Sequence, residues 1–333
     1  MMPSKPINVL FSLAAAVAAA MAGGVHAAAG AGAVDTAAAA GPVCLAPAKP
    51  GGGMDQTCKL IQQALGEHEV HISYLPGGIG AVAWNSIITR RRAEKNTLVA
   101  YSGGSLLNLA EGKFGKSGAG DVRWVAGIGT DYGMIAVRSD SPYKNLRELM
   151  QAIKDKPSNV TIGAGGTVGS QDWLKMSLIA RRADLDPKSM RIVALEGGGE
   201  SFTALLAGYV QAISGDASEA SLHIQDGKIR VLAVLSDARL PGLLANVPTA
   251  REQGYDVSWP IIRGVYVGPQ VSDDDYRRWV ARFDQAMARP DFAQMRAAHG
   301  LYPFAMTGKD LTAYINKTVQ QYRIQAKEFG LLR

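Results

Sequence analysis

The chain lacks nearly every pattern by which catalysis is recognised in a sequence. It has no Gly-x-Ser-x-Gly elbow, no His-Glu-x-x-His and no Cys/His set at metal-ligand spacing. A nucleophile needs a base within reach, and the histidines have no motif partner. His68 and His71 lie near a strand start, His223 falls on a predicted helix, and His299 precedes Gly300 near a helix end. Each reads as a surface or capping residue. Gly115-Lys116-Ser117 resembles the end of a phosphate-binding loop, but Ala110 stands where that loop requires glycine. Gly78-Ile79-Gly80-Ala81-Val82-Ala83 fits a loose dinucleotide pattern, yet the next strand ends in Tyr-Ser-Gly-Gly instead of an acidic residue. No cofactor and no metal are therefore expected.

A concentrated basic surface is also missing. The formal net charge is +6, from 35 Lys and Arg against 29 Asp and Glu, but the cations are scattered. The one run, Arg90-Arg91-Arg92, sits near the end of a predicted helix, where it complements the helix dipole. Nucleic acid is excluded as a partner on that ground. Long apolar runs are confined to Ile7–Ala22, which precedes Val25-His26-Ala27. This reads as an export signal cleaved near Ala27 or Ala28. It is too rich in alanine for a membrane anchor, and nothing later reaches the roughly 20 residues needed to span. Residues 28–41, almost all Ala and Gly, are expected to form a disordered tether. Cysteine is scarce as well. In an exported chain Cys44 and Cys58 read as a disulfide that ties the first strand to the first helix, with two reduced buried thiols as the alternative.

What the chain does have is glycine in five particular places. Pro50-Gly51-Gly52-Gly53, Pro76-Gly77-Gly78, Ser102-Gly103-Gly104, Ala164-Gly165-Gly166 and Glu196-Gly197-Gly198-Gly199 each end a strand-like run and open a helical one. Glycine there permits positive φ and close approach, while the first helical turn presents unpaired N–H groups and partial positive charge. One such turn is a weak anion site; five along the carboxyl ends of parallel strands would hold an anionic small molecule largely by main chain.

The periodicity places strands at 43–46, 70–75, 97–101, 122–128 and 134–137 in a first α/β lobe, with helices at 55–65, 81–91 and 105–110, and a further helix at 145–154 follows a turn at 139–142. The pattern restarts at Val160, giving strands at 161–162, 192–195, 210–214 and 229–235 with helices at 170–182, 201–207 and 217–225. A strand at 265–267 and helices at 273–287, 291–299 and 309–329 complete the chain. Two α/β lobes imply a cleft between them, where small ligands usually bind. Gly165-Gly166-Thr167-Val168-Gly169-Ser170 adds two hydroxyls to its amides, as a carboxylate cradle would. Asp55, Asp172 and Glu200 lie one turn into their helices, where capping is an equal reading. Arg263, before Gly264, is the candidate for a charge-assisted clamp, with a surface strand position as the alternative.

The segments Ala46-Pro47-Ala48-Lys49-Pro50-Gly51-Gly52-Gly53-Met54-Asp55, Gly165 to Ser170 and Asn246-Val247-Pro248-Thr249-Ala250-Arg251-Glu252-Gln253-Gly254-Tyr255 resemble the solute receptors of tripartite tricarboxylate transporters, the Bug receptor family. The likeness covers Val43 to about Arg333. It implies a two-lobed periplasmic-binding-protein fold, with lobe 1 at 42–138 and 239–333 and lobe 2 at 139–238. It also implies no enzymatic activity, and a monomer that closes over a small carboxylate and delivers it to membrane permease subunits. The implied contacts are Gly51, Gly52, Gly53 and Asp55 in the first turn, and Pro76, Gly77, Gly78 and Gly80 in the second. Ser102 and Gly103 belong to the third, Gly166, Thr167, Gly169 and Ser170 to the fourth, and Gly198 and Gly199 to the fifth. Asp216 resembles an acidic position of the opposite lobe, and Arg263-Gly264 resembles the tricarboxylate branch, so a citrate-like ligand is expected. Two departures stand out. Tyr74-Leu75-Pro76-Gly77-Gly78-Ile79-Gly80 replaces the usual Asn and Gly-Ala-Gly-Gly run, and Trp173 stands where relatives often place histidine. The alternatives are an α/β enzyme acting on a carboxylate or phosphorylated metabolite, and a solute sensor for a signalling partner.

Overall fold

The computed structural model describes residues 41–66 and 69–332. The expected export signal with its cleavage near Ala27, the tether before Gly41, and His68 lie outside them. The first half builds β1 (Val43–Ala46), α1 (Gly53–Leu65), β2 (His71–Tyr74), α2 (Ala81–Thr89), β3 (Thr97–Ser102), α3 (Gly103–Ala110) and the long strand β4 (Arg123–Arg138). Next come α4 (Leu146–Asp155), β5 (Thr161–Gly165), α5 (Gln171–Arg182), β6 (Arg191–Leu195), α6 (Gly198–Leu206), β7 (Ala212–Asp216), α7 (Ala217–Ile224) and β8 (Ile229–Leu235). The chain returns as β9 (Pro260–Val267), α8 (Asp273–Ala288), α9 (Phe292–Ala298), β10 (Met306–Thr307) and α10 (Gly308–Glu328).

The strands lie in the order β2-β1-β3-β9-β4-β7-β5-β6, with β8 and β10 also paired to β4. β1 runs parallel to β2 and β3, and β5 runs parallel to β6 and β7. Each parallel set needs crossover helices, and these cover both sheet faces. On the first half, Ile61, Trp279 and Phe283 pack on one face, and Trp84, Leu311 and Ile315 on the other. On the second half the corresponding clusters centre on Leu149, Met176 and Ile179, and on Phe202, Leu205 and Ile213. The fold is a two-lobed α/β architecture, each half a largely parallel sheet covered by helices on both faces.

The two strands expected at 122–128 and 134–137 are one. β4 pairs β9 from Arg123 to Tyr132, then pairs β7 and β8 from Gly133 onward. The intervening Gly129-Thr130-Asp131-Tyr132-Gly133 looks like a break because Gly and Asp are poor strand formers. It continues as strand because β9 starts earlier than expected, at Pro260, and supplies partners as far as Tyr132. In the return segment, Leu240, Leu244, Ala250, Val257 and Trp259 are buried in the second half's clusters.

Candidate functional site

Each of the five glycine turns lies at a strand-to-helix junction, and most are closed by an acidic or hydroxyl side chain of their own. In the first, the Gly51 amide donates to Asp55 Oδ2 at 2.8 Å and Tyr74 Oη donates to Asp55 Oδ1 at 2.8 Å. Burial pushes the Asp55 carboxyl up, but hydrogen bonds from Lys59, Gly51 and Tyr74 outweigh it and hold the group below its ordinary value. Burial and the bond to Asp55 push the Tyr74 hydroxyl up to about 12. The Cys44–Cys58 disulfide anchors this turn from below, joining β1 to α1. In the second turn Gly77, Gly78, Ile79 and Gly80 all have positive φ. For a β-branched residue that is a strained conformation, and the Ile79 carbonyl is held by Asn108 Nδ2 at 3.1 Å.

At the third turn Ser102 Oγ accepts from the Gly104 amide, and Ser105 Oγ accepts from the Ser102 amide. At the fourth, Asp172 Oδ2 accepts from the Gly165 amide at 2.8 Å and Ser170 Oγ caps α5 through the Trp173 amide. At the fifth, Glu200 Oε2 accepts from the Glu196 amide at 2.7 Å. Capping is thus the observed role of Asp55, Asp172 and Glu200, because each neutralises amides that its own turn leaves unpaired.

All five turns contribute to one cavity of about 100 Å³. Of the residues expected there, Gly52, Gly53, Ser102, Ser170, Gly198, Gly199, Asp216 and Arg263 line it. Gly51, Asp55, Gly103, Gly166, Thr167 and Gly169 belong to the same turns but not to the cavity wall. Pro76, Gly77, Gly78 and Gly80 also stand off it, and the second turn presents the Ile79 side chain instead. Trp173 is no ligand contact: it is buried against Phe329, with ring centroids 6.0 Å apart. Lys49, Met54, Ser105, Asn108 and Gln171 line the cavity without having been singled out.

Below the cavity lies a buried charge cluster that no local pattern announces. Arg263 Nη2 donates to Asp131 Oδ2 at 2.8 Å and to Asp216 Oδ2 at 2.5 Å. Lys175 Nζ reaches Asp172 Oδ1 at 2.7 Å, Asp216 Oδ1 at 2.8 Å and the Gly215 carbonyl at 2.6 Å. Asp131 also accepts from the amide and hydroxyl of Ser218. Arg263 lines the cavity, but its Nη2 is shared by two internal carboxylates, so it is not the wholly free clamp its sequence position suggested. Nor is it on the surface, being 2% exposed.

Glu219, one turn into α7, completes the cluster. Its Oε1 accepts from the Gly53 amide at 2.7 Å, across 166 residues of sequence. Burial, then the neighbouring Asp216 charge, raise its carboxyl to about 8, against opposing help from Arg263 and the Gly53 amide. Burial likewise raises Asp131 and Asp172, whereas Lys175 and Arg263 keep Asp216 low despite its burial. Six buried ionisable groups, four acids and two bases, thus stand beside one small cavity. The sequence signal that could have found Glu219 is Asp216-Ala-Ser-Glu219, a capping-box spacing that sets the two acids side by side.

With this geometry the comparisons agree. The family described as tripartite tricarboxylate transporter family receptor matches residues 117–331. A UPF0065 protein of Bordetella pertussis is 27% identical over 208 residues, which is 62% of this chain and 63% of that relative, a little under two thirds of its length. A solved structure described as a periplasmic transporter superposes with a TM-score of 0.79 at 17% identity, over 89% of this chain and 99% of that one. MatC from Rhodopseudomonas palustris, solved with bound malate, gives 0.74 at 19% identity over 86% and 99%. The matched span runs from the end of the first half through the whole charge cluster to α10. The chain belongs to the tripartite tricarboxylate transporter family receptors.

Proposed function

We propose that this protein is an exported, periplasmic receptor that holds a small carboxylate between its two lobes and passes it to the membrane permease of a tripartite transporter. The observation that carries the reading is the convergence of five strand-to-helix turns, three from one lobe and two from the other, on a single cavity. Helix starts favour anions through their amides and dipoles. The hydroxyls of Ser102, Ser105 and Ser170 and the ammonium of Lys49 add donors around the rim. The malate held by MatC, which shares this fold, fits the same ligand class.

A citrate-like tricarboxylate was the finer expectation, and it leaned on an uncommitted Arg263. With that guanidinium bound to Asp131 and Asp216, a ligand with fewer carboxylates suits the cavity better. Ligand contacting both lobes would favour the closed arrangement, since it gains contacts there that the open one cannot offer. A thermal-shift screen of mono-, di- and tricarboxylates and amino acids, with native mass spectrometry of co-purified solute, tests the reading. At least one carboxylate should raise the melting temperature. Gly52→Val and Ser170→Leu, both on the cavity wall, should abolish that rise while leaving the unliganded fold intact. A rise that persists in both variants would remove the site assignment.

A further inference from the structure

The starts of α1 and α6 come from opposite lobes and meet face to face. A Cβ placed on Gly199 would stand 3.0 Å from the Pro50 carbonyl and 3.4 Å from the Gly52 nitrogen. Two facing helix starts make an anion cradle, yet what lies between them is a side chain of the protein itself. The Glu219 carboxyl accepts from the Gly53 amide at 2.7 Å. It also lies so close to Gly198 that a Cβ there would overlap both carboxyl oxygens, and a Cβ on Gly52 would touch Oε1 at 3.5 Å. Glu219 is 4% exposed; its carboxyl accepts from the Gly53 and Asp216 amides and forms no ion pair among the described residues.

We propose that Glu219 is the specificity-determining residue of this receptor: its carboxyl occupies the amide cradle between the starts of α1 and α6, so the ligand is a monocarboxylate whose single anionic group goes to the other end of the cavity. The inference rests on the carboxylate reading above and sharpens it. At that other end the starts of α3 and α5 supply Ser102, Ser105 and Ser170 beside Gln171 and Asn108, while Asp172 in the first turn of α5 is held by the Gly165 amide and Lys175. A dicarboxylate would have to place its second carboxylate where the Glu219 carboxyl stands, beside Asp216 and Asp172, which also line the cavity. Occupancy is what excludes it: a second carboxylate meets a cradle whose Gly53 amide is already taken and whose space over Gly198 is already filled.

The test compares wild type, Glu219→Ala and Glu219→Gln by titration calorimetry. The probes are monocarboxylates from propanoate to hexanoate and the dicarboxylates of equal length from malonate to adipate, with melting temperature and circular dichroism confirming that each variant is folded. Wild type should bind a monocarboxylate at least tenfold more tightly than the dicarboxylate of the same length. Glu219→Ala, which vacates the Gly53 amide and the space over Gly198, should gain at least tenfold for that dicarboxylate. Glu219→Gln, which still fills the cradle, should gain little. Tight dicarboxylate binding by wild type, an unchanged preference in Glu219→Ala, or an equal gain in both variants would overturn the inference while leaving the carboxylate reading in place. Absence of any carboxylate binding in all three proteins would remove that reading, and the inference with it.

Discussion

At the scale of single residues, the chemistry of this protein is decided by which polar groups are already satisfied. Asp55, Asp172 and Glu200 close their own turns, and Arg263 and Lys175 are held by internal acids. Glu219 is the exception, a buried carboxyl held by two amides and in no ion pair among the described residues. Its ordinary value is 4.5, and it is raised to about 8 in the folded chain. Between those two values the folded protein keeps a proton that the unfolded chain has released, so this group's contribution to stability falls as pH rises through the window and is level outside it. Wild type should therefore lose stability relative to Glu219→Gln between about pH 5 and 8, on the order of a few kcal/mol. Melting curves of both proteins across that range check the slope, and parallel curves would show that Glu219 is ionised in the fold.

At the scale of elements, the first turn is the one most firmly built. β1 and α1 are joined by Cys44–Cys58 with a sequence separation of 14, and both cysteines are fully buried. Closing a loop of that length restricts the unfolded chain by about 3 kcal/mol in the chain-entropy model. Cys44→Ala/Cys58→Ala should lower stability by about that amount in urea unfolding. It should also weaken ligand binding, because Gly52 and Gly53 hang from the tethered end of α1 and would have to be ordered on binding. Unaltered affinity would show that the turn is held by Asp55 and Tyr74 alone. The long strand β4 has a different task. It carries one residue of the charge cluster, Asp131, just before it changes partner from β9 to β7 and β8. Polar residues that break its hydrophobic run are thus what places a charge at the junction of the halves.

At the scale of the whole molecule, the chain's last segment crosses from one half to the other. α10 packs on the first half through Leu311 and Ile315, while Phe329 beyond it stacks edge-on to Trp173 and lies under the Arg181 guanidinium at 3.6 Å, both on α5. Near the cavity mouth, Lys49 faces Glu200 at 3.5 Å from the opposite side. A bridge of this kind favours the arrangement in which the halves are together. Phe329→Ala should therefore weaken carboxylate affinity several-fold with little change in the fold, read by calorimetry beside circular dichroism. Equal affinity would show that closure does not depend on this contact.

Local pattern was enough for the alternation of strands and helices, the five glycine turns, the pairing of Cys44 with Cys58 and the resemblance to transporter receptors. Those features depend on residues within a few positions of one another, where glycine conformations, capping and hydrophobic period act directly. The union of two expected strands into β4, the commitment of Arg263 and the seat of Glu219 were out of reach. They join residues 47 to 166 positions apart, and buried ion pairing leaves no periodicity in the chain that makes it. Sequence alone determined that anion-friendly turns exist and on which strands they end. Only the tertiary structure decided that one of them is already filled, because a buried carboxyl settles wherever folding brings unpaired amides within its reach.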